Sequence, residues 1–186
     1  MPKRIVLTGF MGAGKSTLGP RLAQQLEWSF IDLDDEIVRT EQKSIAQIFD
    51  SVGESRFREL EQNTLANTLR LEKVVLALGG GAIETAANRQ AIHEDRETLL
   101  LYLAAPLEVL IERCEQQQLQ REAVRRPILE KRAELTERFQ RRRPFYETAD
   151  WTIDTTGQTL DALVTAVVAR WNSAPWSAPP ESQKRA

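Results

Sequence analysis

Gly9-Phe10-Met11-Gly12-Ala13-Gly14-Lys15-Ser16-Thr17, near the N-terminus, fits G-x-x-x-x-G-K-[ST], a loop whose backbone cradles phosphate groups. On one side Ile5-Val6-Leu7 is a short apolar, β-branched run, the pattern of a buried strand. On the other, Leu18, Leu22, Ala23 and Leu26 recur at helical spacing. Strand, glycine-rich turn and helix together aim several backbone N–H groups and a helix N-terminus at one point, which suits an oligophosphate. Gly12 and Gly14, either side of Ala13, let the backbone approach the ligand. Lys15 brings a mobile positive charge, the Ser16 hydroxyl can join a Mg²⁺ shell, and Thr17 completes the loop. These residues predict a chain that binds a nucleoside triphosphate.

The 186 residues suffice for one domain with a sizeable core. Lys and Arg number 25 against 27 Asp and Glu, a formal net charge of -2, so no nucleic-acid or membrane partner is expected. Positive charge is concentrated locally, at Arg125-Arg126 and Arg141-Arg142-Arg143. The single cysteine, Cys114, excludes an internal disulfide and fits a reducing compartment. No apolar run reaches about 18 residues and the N-terminus has no apolar signal core. A cytoplasmic monomer acting on small molecules is the expectation.

Trp28-Ser29-Phe30-Ile31 reads as a second short strand, leading into Asp32-Leu33-Asp34-Asp35. Alternation along a strand would put Asp32 and Asp34 on the same side. Two carboxylates emerging there can divide the labour, one orienting a magnesium-bound water and the other accepting a proton from an attacking hydroxyl. The same acids equally suit a solvated turn capping a helix that starts at Asp35. Residues 44–49 and 54–71 follow as helical segments separated by Gly53. Arg56, Arg58 and Glu61 lie near the start of the second, where an arginine faces the helix's own positive end and calls for an acidic partner. Val74 to Leu78 is a continuous apolar run, as in a central parallel strand. It ends in Gly79-Gly80-Gly81, a turn where a ligand can lie against bare backbone.

Residues 85–92 look helical, with His93 at the end and no catalytic neighbour in sequence. Leu99 to Leu103 is a fourth strand, and a helix from Pro106 carries Leu107, Leu110, Ile111 and Cys114 at core spacing. From Glu115 the chain turns polar, and about 115–128 is expected to form a mobile lid. A helix from Leu129 to Arg143 should stop before Pro144. Trp151 to Ile153 is a fifth strand and Leu160 to Trp171 a last helix. The Ser/Ala/Pro-rich stretch 173–186 reads as a disordered tail. Strands alternating with helices predict an α/β fold: a single domain over 1–172 with an open five-stranded parallel sheet between two helical layers. In such folds ligands gather at the carboxyl ends of the strands, where all the singled-out features fall.

GFMGAGKST, FIDLDDEI with its D-x-D, SIAQIFDSVGESRFRELE, ALGGGAI, the R-P of the polar segment and RRRPFY resemble one family in this order: the shikimate kinases, among the nucleoside-monophosphate-kinase-like P-loop proteins. The resemblance runs from Lys3 to about Trp171. It implies a P-loop kinase fold with a lid and transfer of the ATP γ-phosphoryl group to the 3-hydroxyl of shikimate, in aromatic amino-acid biosynthesis. By resemblance, Asp34 binds the substrate hydroxyls and is the candidate base, while Asp32 with Ser16 organises Mg²⁺. Arg58 and Arg142 clamp the substrate carboxylate, and Gly79, Gly80 and Gly81 offer backbone contacts. Arg126 swings from the lid onto the phosphates, Arg113 packs against adenine, and Gln158 lies in the loop bordering the base. Arg125 in place of Arg126, and Arg143 in place of Arg142, stay open. Arginine forks and a carboxylate suit a small hydroxylated anion. Phosphoryl transfer asks for positioning and charge neutralisation, which Lys15, Mg²⁺ and Arg126 can supply.

Two residues depart from the family pattern. Pro20 stands early in the P-loop helix, where many relatives carry Arg, and is expected to remove one backbone bond and kink the helix at a cost in stability. Phe145 replaces the usual Leu, a tolerable swap. A gluconate-type kinase on the same fold is one rival, since gluconate is also a hydroxylated acid. A non-catalytic binding protein is another, but it would be expected to lose Lys15, Asp34 or one of the arginines, and all are present.

Overall fold

The computed structural model describes residues 2–120 and 132–173. Arg125, Arg126, most of the segment expected to be a lid, and the tail from 174 onward lie outside the described residues. The chain runs β1 (Arg4–Thr8), α1 (Lys15–Leu26), β2 (Ser29–Asp32), α2 (Leu33–Glu41), α3 (Ile45–Thr68), β3 (Val74–Ala77), a 3-10 turn (Ala82–Glu84), α4 (Ala86–Glu94), β4 (Thr98–Ala104), α5 (Leu107–Gln120), α6 (Arg132–Tyr146), β5 (Trp151–Asp154) and α7 (Leu160–Ser173). The five strands form one sheet in the order β2-β3-β1-β4-β5, every pair parallel.

Every residue of β1 and β3 is buried, and so is all of β4 but its last residue. Continuous burial requires cover on both faces, which the apolar runs in the sequence foretell. Leu7 aligns with Ala77 on one neighbour and Leu101 on the other, so β1 and β3 end within a residue of each other while β4 runs on to Ala104. The glycine-rich loop and the triple glycine therefore open on the same edge. On one face α1 packs against α7 and over β2 and β3. Trp28 meets Trp171 edge-on at 5.2 Å. Gly19 lies so close to the Phe30 ring that a methyl group would overlap it, which accounts for a glycine inside a helix that would otherwise favour alanine by about 1 kcal/mol.

Four local expectations change. Helix α2 begins at Leu33, so Asp34 stands in its first turn rather than on a strand. The Asp32 carboxylate caps that helix by accepting from the Asp34 N–H at 3.1 Å, which turns the chain earlier than alternation implies. Helix α5 continues through the glutamines to Gln120, because Gln, Glu and Leu are good helix formers whether or not they are buried. Helix α6 passes Pro144 and ends at Tyr146. The fully buried Tyr146 side chain, stacked on Tyr102 with centroids 5.4 Å apart, holds that last turn in place of the lost backbone bond. Helix α7 takes in Asn172 and Ser173. Elsewhere, Gly53 breaks α3 with a left-handed φ of 77°, as its position between two helical patterns predicts. Helix α1 is unbroken across the exposed Pro20.

Candidate active site

The P-loop is held open by two close contacts. Gly12 has a φ of 76° and lies against the Leu110 carbonyl and Cys114 of α5, where a Cβ would collide. Gly14, left-handed at 94°, caps α1, and its carbonyl accepts from the Thr17 and Leu18 N–H groups at 3.1 and 2.8 Å. The N–H groups of Lys15 and Ser16 stay outside the intrahelical ladder, as at any helix start, and face the loop's ligand position. Lys15 Nζ donates to the carbonyls of Gly9 at 2.7 Å and Phe10 at 3.2 Å, folded back across the loop. Burial pulls the pKa of this amine down to about 8, against the opposing pull of the Asp32 and Asp34 carboxylates.

Asp32 bridges loop and helix. One oxygen caps α2, and the other accepts from Ser16 Oγ at 2.7 Å. Hydroxyl and carboxylate are the hard oxygen donors a small divalent cation takes. Among the described residues no group of three or more His, Cys, Asp or Glu forms a metal cage. A cation here would complete its shell from phosphate and water, as Mg²⁺ does in kinases.

Beyond Asp32 the three glycines form a floor on which charged side chains converge. A Cβ on Gly79 would stand 2.5 Å from Asp34 Oδ1, so the carboxylate lies flat against that residue's backbone. A Cβ on Gly81 would meet Arg142 Nη2 at 3.0 Å and the two Nη atoms of Arg58 at 3.1 and 3.2 Å. Two guanidinium groups from different helices thus face one spot, with a carboxylate two residues away. Burial raises the pKa of Asp34, and the charge of Asp32 adds to the rise while Lys15 opposes it. Arg58 is aimed by Glu61, whose two oxygens accept from Nη1 at 3.1 and 3.0 Å, and by the exposed Glu54 at 3.2 Å. Glu61 is 1% exposed, and burial lifts its pKa despite the arginine.

A shikimate kinase family model matches residues 11–172. The chain belongs to the shikimate kinase family. It is 37% identical over 169 residues to the shikimate kinase of Persephonella marina, spanning 90% of this chain and 98% of that one. With the Salinibacter ruber enzyme it shares 40% over 180 residues, 91% of this chain and 82% of the relative. The shikimate kinase of Acinetobacter baumannii, solved in complex with shikimate, superposes with a TM-score of 0.81 at 33% identity, covering 93% of this chain and 94% of the other. As a member of this family the protein is an ATP-dependent kinase, which implies a divalent metal with the nucleotide.

For a shikimate kinase, the expected residues fall into two groups. Gly12 to Thr17, Asp32, Asp34, Arg58, Gly79 to Gly81 and Arg142 are brought together around the carboxyl ends of β1, β2 and β3. Arg142 lies beside Gly80 and Gly81, while Arg143 is 60% exposed and paired with Glu147 at 2.7 Å, so only the former faces the glycine floor. Arg113 and Gln158 stand on the far side of the P-loop. Arg113 donates to the Thr155 hydroxyl at 2.8 Å and carbonyl at 2.7 Å, and Gln158 Nε2 donates to the Asp154 carbonyl at 2.8 Å. His93, in the last turn of α4, lies 3.1 Å from the Thr148 hydroxyl, well apart from these groups in the chain's contacts. Sequence reasoning missed Tyr146, whose hydroxyl donates to the Gly80 carbonyl at 2.8 Å and fixes the glycine floor from α6. The only signal for it was an aromatic closing the R-R-R-P-F-Y run.

Proposed function

We propose that this chain transfers the γ-phosphoryl group of ATP to the 3-hydroxyl of shikimate, yielding shikimate 3-phosphate and ADP for aromatic amino-acid biosynthesis, as a cytoplasmic monomer. The observation that carries this reading is the convergence of Arg58 and Arg142 on Gly81, with Asp34 against Gly79 and Lys15 near enough to shift its ionisation. Two guanidiniums suit one carboxylate, and a neighbouring carboxylate suits hydroxyls on the same small ring. The bound ligand named for the Acinetobacter baumannii structure has that chemistry.

In this reading Arg58 and Arg142 seat the acceptor carboxylate, and Asp34 holds the hydroxyl. Its raised pKa makes it a better proton acceptor than an ordinary aspartate at the moment the phosphoryl group arrives. Lys15 leaves the Gly9 and Phe10 carbonyls for the phosphate oxygens, together with the N–H groups of Gly12 to Thr17. Ser16 and Asp32 would hold Mg²⁺, which would supply charge neutralisation at the nucleotide phosphates. Arg126 is assigned a phosphate contact, Arg113 the adenine face and Gln158 its border by resemblance.

The test is ADP release from Mg·ATP by the purified protein with shikimate, with gluconate and with no acceptor. Strong stimulation by shikimate alone is expected. Stimulation by gluconate instead overturns the acceptor, and no stimulation by either overturns catalysis.

A further inference from the structure

Glu84 ends the 3-10 turn that follows the glycine floor, and no motif of the sequence includes it. Its two oxygens take two consecutive arginines of α6: Oε1 accepts from Arg142 Nε at 2.5 Å and Oε2 from Arg141 Nε at 3.0 Å. Arg142 is 11% exposed and Glu84 23%, whereas Arg141 is 58% exposed. Burial pushes the Glu84 carboxyl up, but the two arginines outweigh it and hold it below the ordinary range. The backbone of the turn is itself fixed. Arg89 of α4 donates to the carbonyls of Ile83 and Glu84, each at 2.8 Å, and its guanidinium lies 4.2 Å above the Phe145 ring of α6.

An arginine can grip a carboxylate through two forks, sideways with Nε and one Nη, or end-on with both Nη groups. Glu84 occupies Nε of Arg142 and so closes the sideways fork. What remains is the end-on pair, and it faces the floor: Nη1 stands 3.4 Å from a Cβ built on Gly80, and Nη2 3.0 Å from one on Gly81. Arg58 is held in the opposite sense, by carboxylates on its Nη groups. The two clamp arginines are thus oriented by different means.

We propose that Glu84 is a positioning residue for the acceptor carboxylate: by taking Nε of Arg142 it presents the end of that guanidinium to Gly80 and Gly81, so the carboxylate binds end-on. The inference rests on the reading that Arg142 and Arg58 receive an acceptor carboxylate. Without Glu84, Arg142 keeps the Tyr146 hydroxyl and the Phe10 ring, 6.0 Å away, as neighbours, and neither fixes the rotation of its planar end.

The test compares Glu84→Ala, Glu84→Gln and Arg141→Ala in steady-state kinetics, with melting curves to establish that each is folded. Glu84→Ala is expected to raise KM for shikimate roughly tenfold, the size of one charge-assisted hydrogen bond, with KM for ATP unmoved. Glu84→Gln, which keeps one oxygen for Nε, should recover most of the loss, and Arg141→Ala should stay within about twofold of wild type. Shikimate methyl ester, which offers no carboxylate, should bind wild type and Glu84→Ala alike by calorimetry. An unchanged KM for shikimate in both Glu84 variants, an equal rise in KM for ATP, or the same Glu84→Ala penalty with the ester overturns the proposal. If wild type itself neither turns over nor binds shikimate, the acceptor assignment has failed and this proposal falls with it. A normal wild type with indifferent Glu84 variants overturns the positioning role alone.

Discussion

The pKa of Lys15 makes nucleotide affinity a function of pH, with a sign that follows from the structure. In the free protein the amine titrates near 8, lowered from 10.5 chiefly by burial. Phosphate oxygens favour the charged amine, so the bound form should titrate at or above the ordinary value. Below pH 8 the lysine is charged in both states and affinity is flat. Above it the free protein loses the proton while the complex keeps it, so binding takes up a proton and weakens. The expected fall is about tenfold per pH unit, or roughly 1.4 kcal/mol, between the two pKa values. From about pH 7.5 to about pH 9 the Kd of a non-hydrolysable Mg·ATP analogue should rise roughly eightfold to tenfold. Calorimetry at fixed ionic strength and free magnesium reads this directly, and the γ-phosphate is already deprotonated over that range. Lys15→Arg supplies the control. Its guanidinium stays charged throughout, so whatever its absolute affinity, its Kd should not rise with pH. A flat wild-type Kd across the range would mean that the Gly9 and Phe10 carbonyls keep the amine charged and that burial does not govern it. A slope shared equally by Lys15→Arg would assign the titration to another group.

Turnover should show an acid limb above the usual aspartate range, because Asp34 must be ionised and its pKa is raised by burial and by Asp32. Activity is lost as pH falls through that raised value, and Asp34→Asn should abolish turnover by a factor of about a thousand or more; a limb at the ordinary aspartate position counts against it as the base. Gly79→Ala sets a methyl 2.5 Å from Asp34 Oδ1 and should lower kcat roughly a hundredfold with ATP affinity retained. Normal turnover in that variant would mean the floor yields. Arg58→Ala should raise KM for shikimate about tenfold to a hundredfold. It also strips Glu61 of its partner, so its deficit in melting temperature should be smallest below the ordinary glutamate value of 4.5 and grow as pH rises, since the buried carboxyl then has to ionise alone. A pH-independent deficit would contradict the pairing.

What the sequence revealed about this fold it revealed locally. The apolar runs at Ile5, Val74 and Leu99 announce strands covered on both faces because each run is short, unbroken and bounded by turns. The P-loop is legible for the same reason, since the residues that cradle phosphate are contiguous and need only a strand before and a helix after. The D-x-D was legible as a pair but not in its geometry. Strand alternation put both aspartates on one side, whereas Asp32 caps α2 and leaves Asp34 to enter from a helical turn. The helical character of the polar stretch after Cys114, as far as Gln120, was not legible because the stretch buries little. Helix formation asks only for favourable backbone propensity, which the glutamines have. The Glu84–Arg142 and Tyr146–Gly80 pairs join residues far apart in sequence, and although Gly80 and Arg142 stand in marked runs, nothing periodic points to Glu84 or Tyr146 as their partners.

Those long-range pairs explain how so short a list of residues can act as a site. A free arginine gives up much side-chain entropy when it closes on a carboxylate, and Lys or Arg on a surface gains little from a single ion pair. Here Arg58 is set by Glu61, Arg142 by Glu84, and Arg113 by Thr155 before any ligand arrives. Holding an arginine with a carboxylate works against ligand binding, because the partner competes with the acceptor for the same charge. The conflict is relieved by the number of donors. A guanidinium has five N–H groups, so one carboxylate can fix its plane and leave an unused pair for the ligand. Lysine could not serve in this way, since its donors share one rotating nitrogen. Arg142 shows the arrangement most plainly: Glu84 takes Nε, and the two Nη groups stay turned toward Gly80 and Gly81.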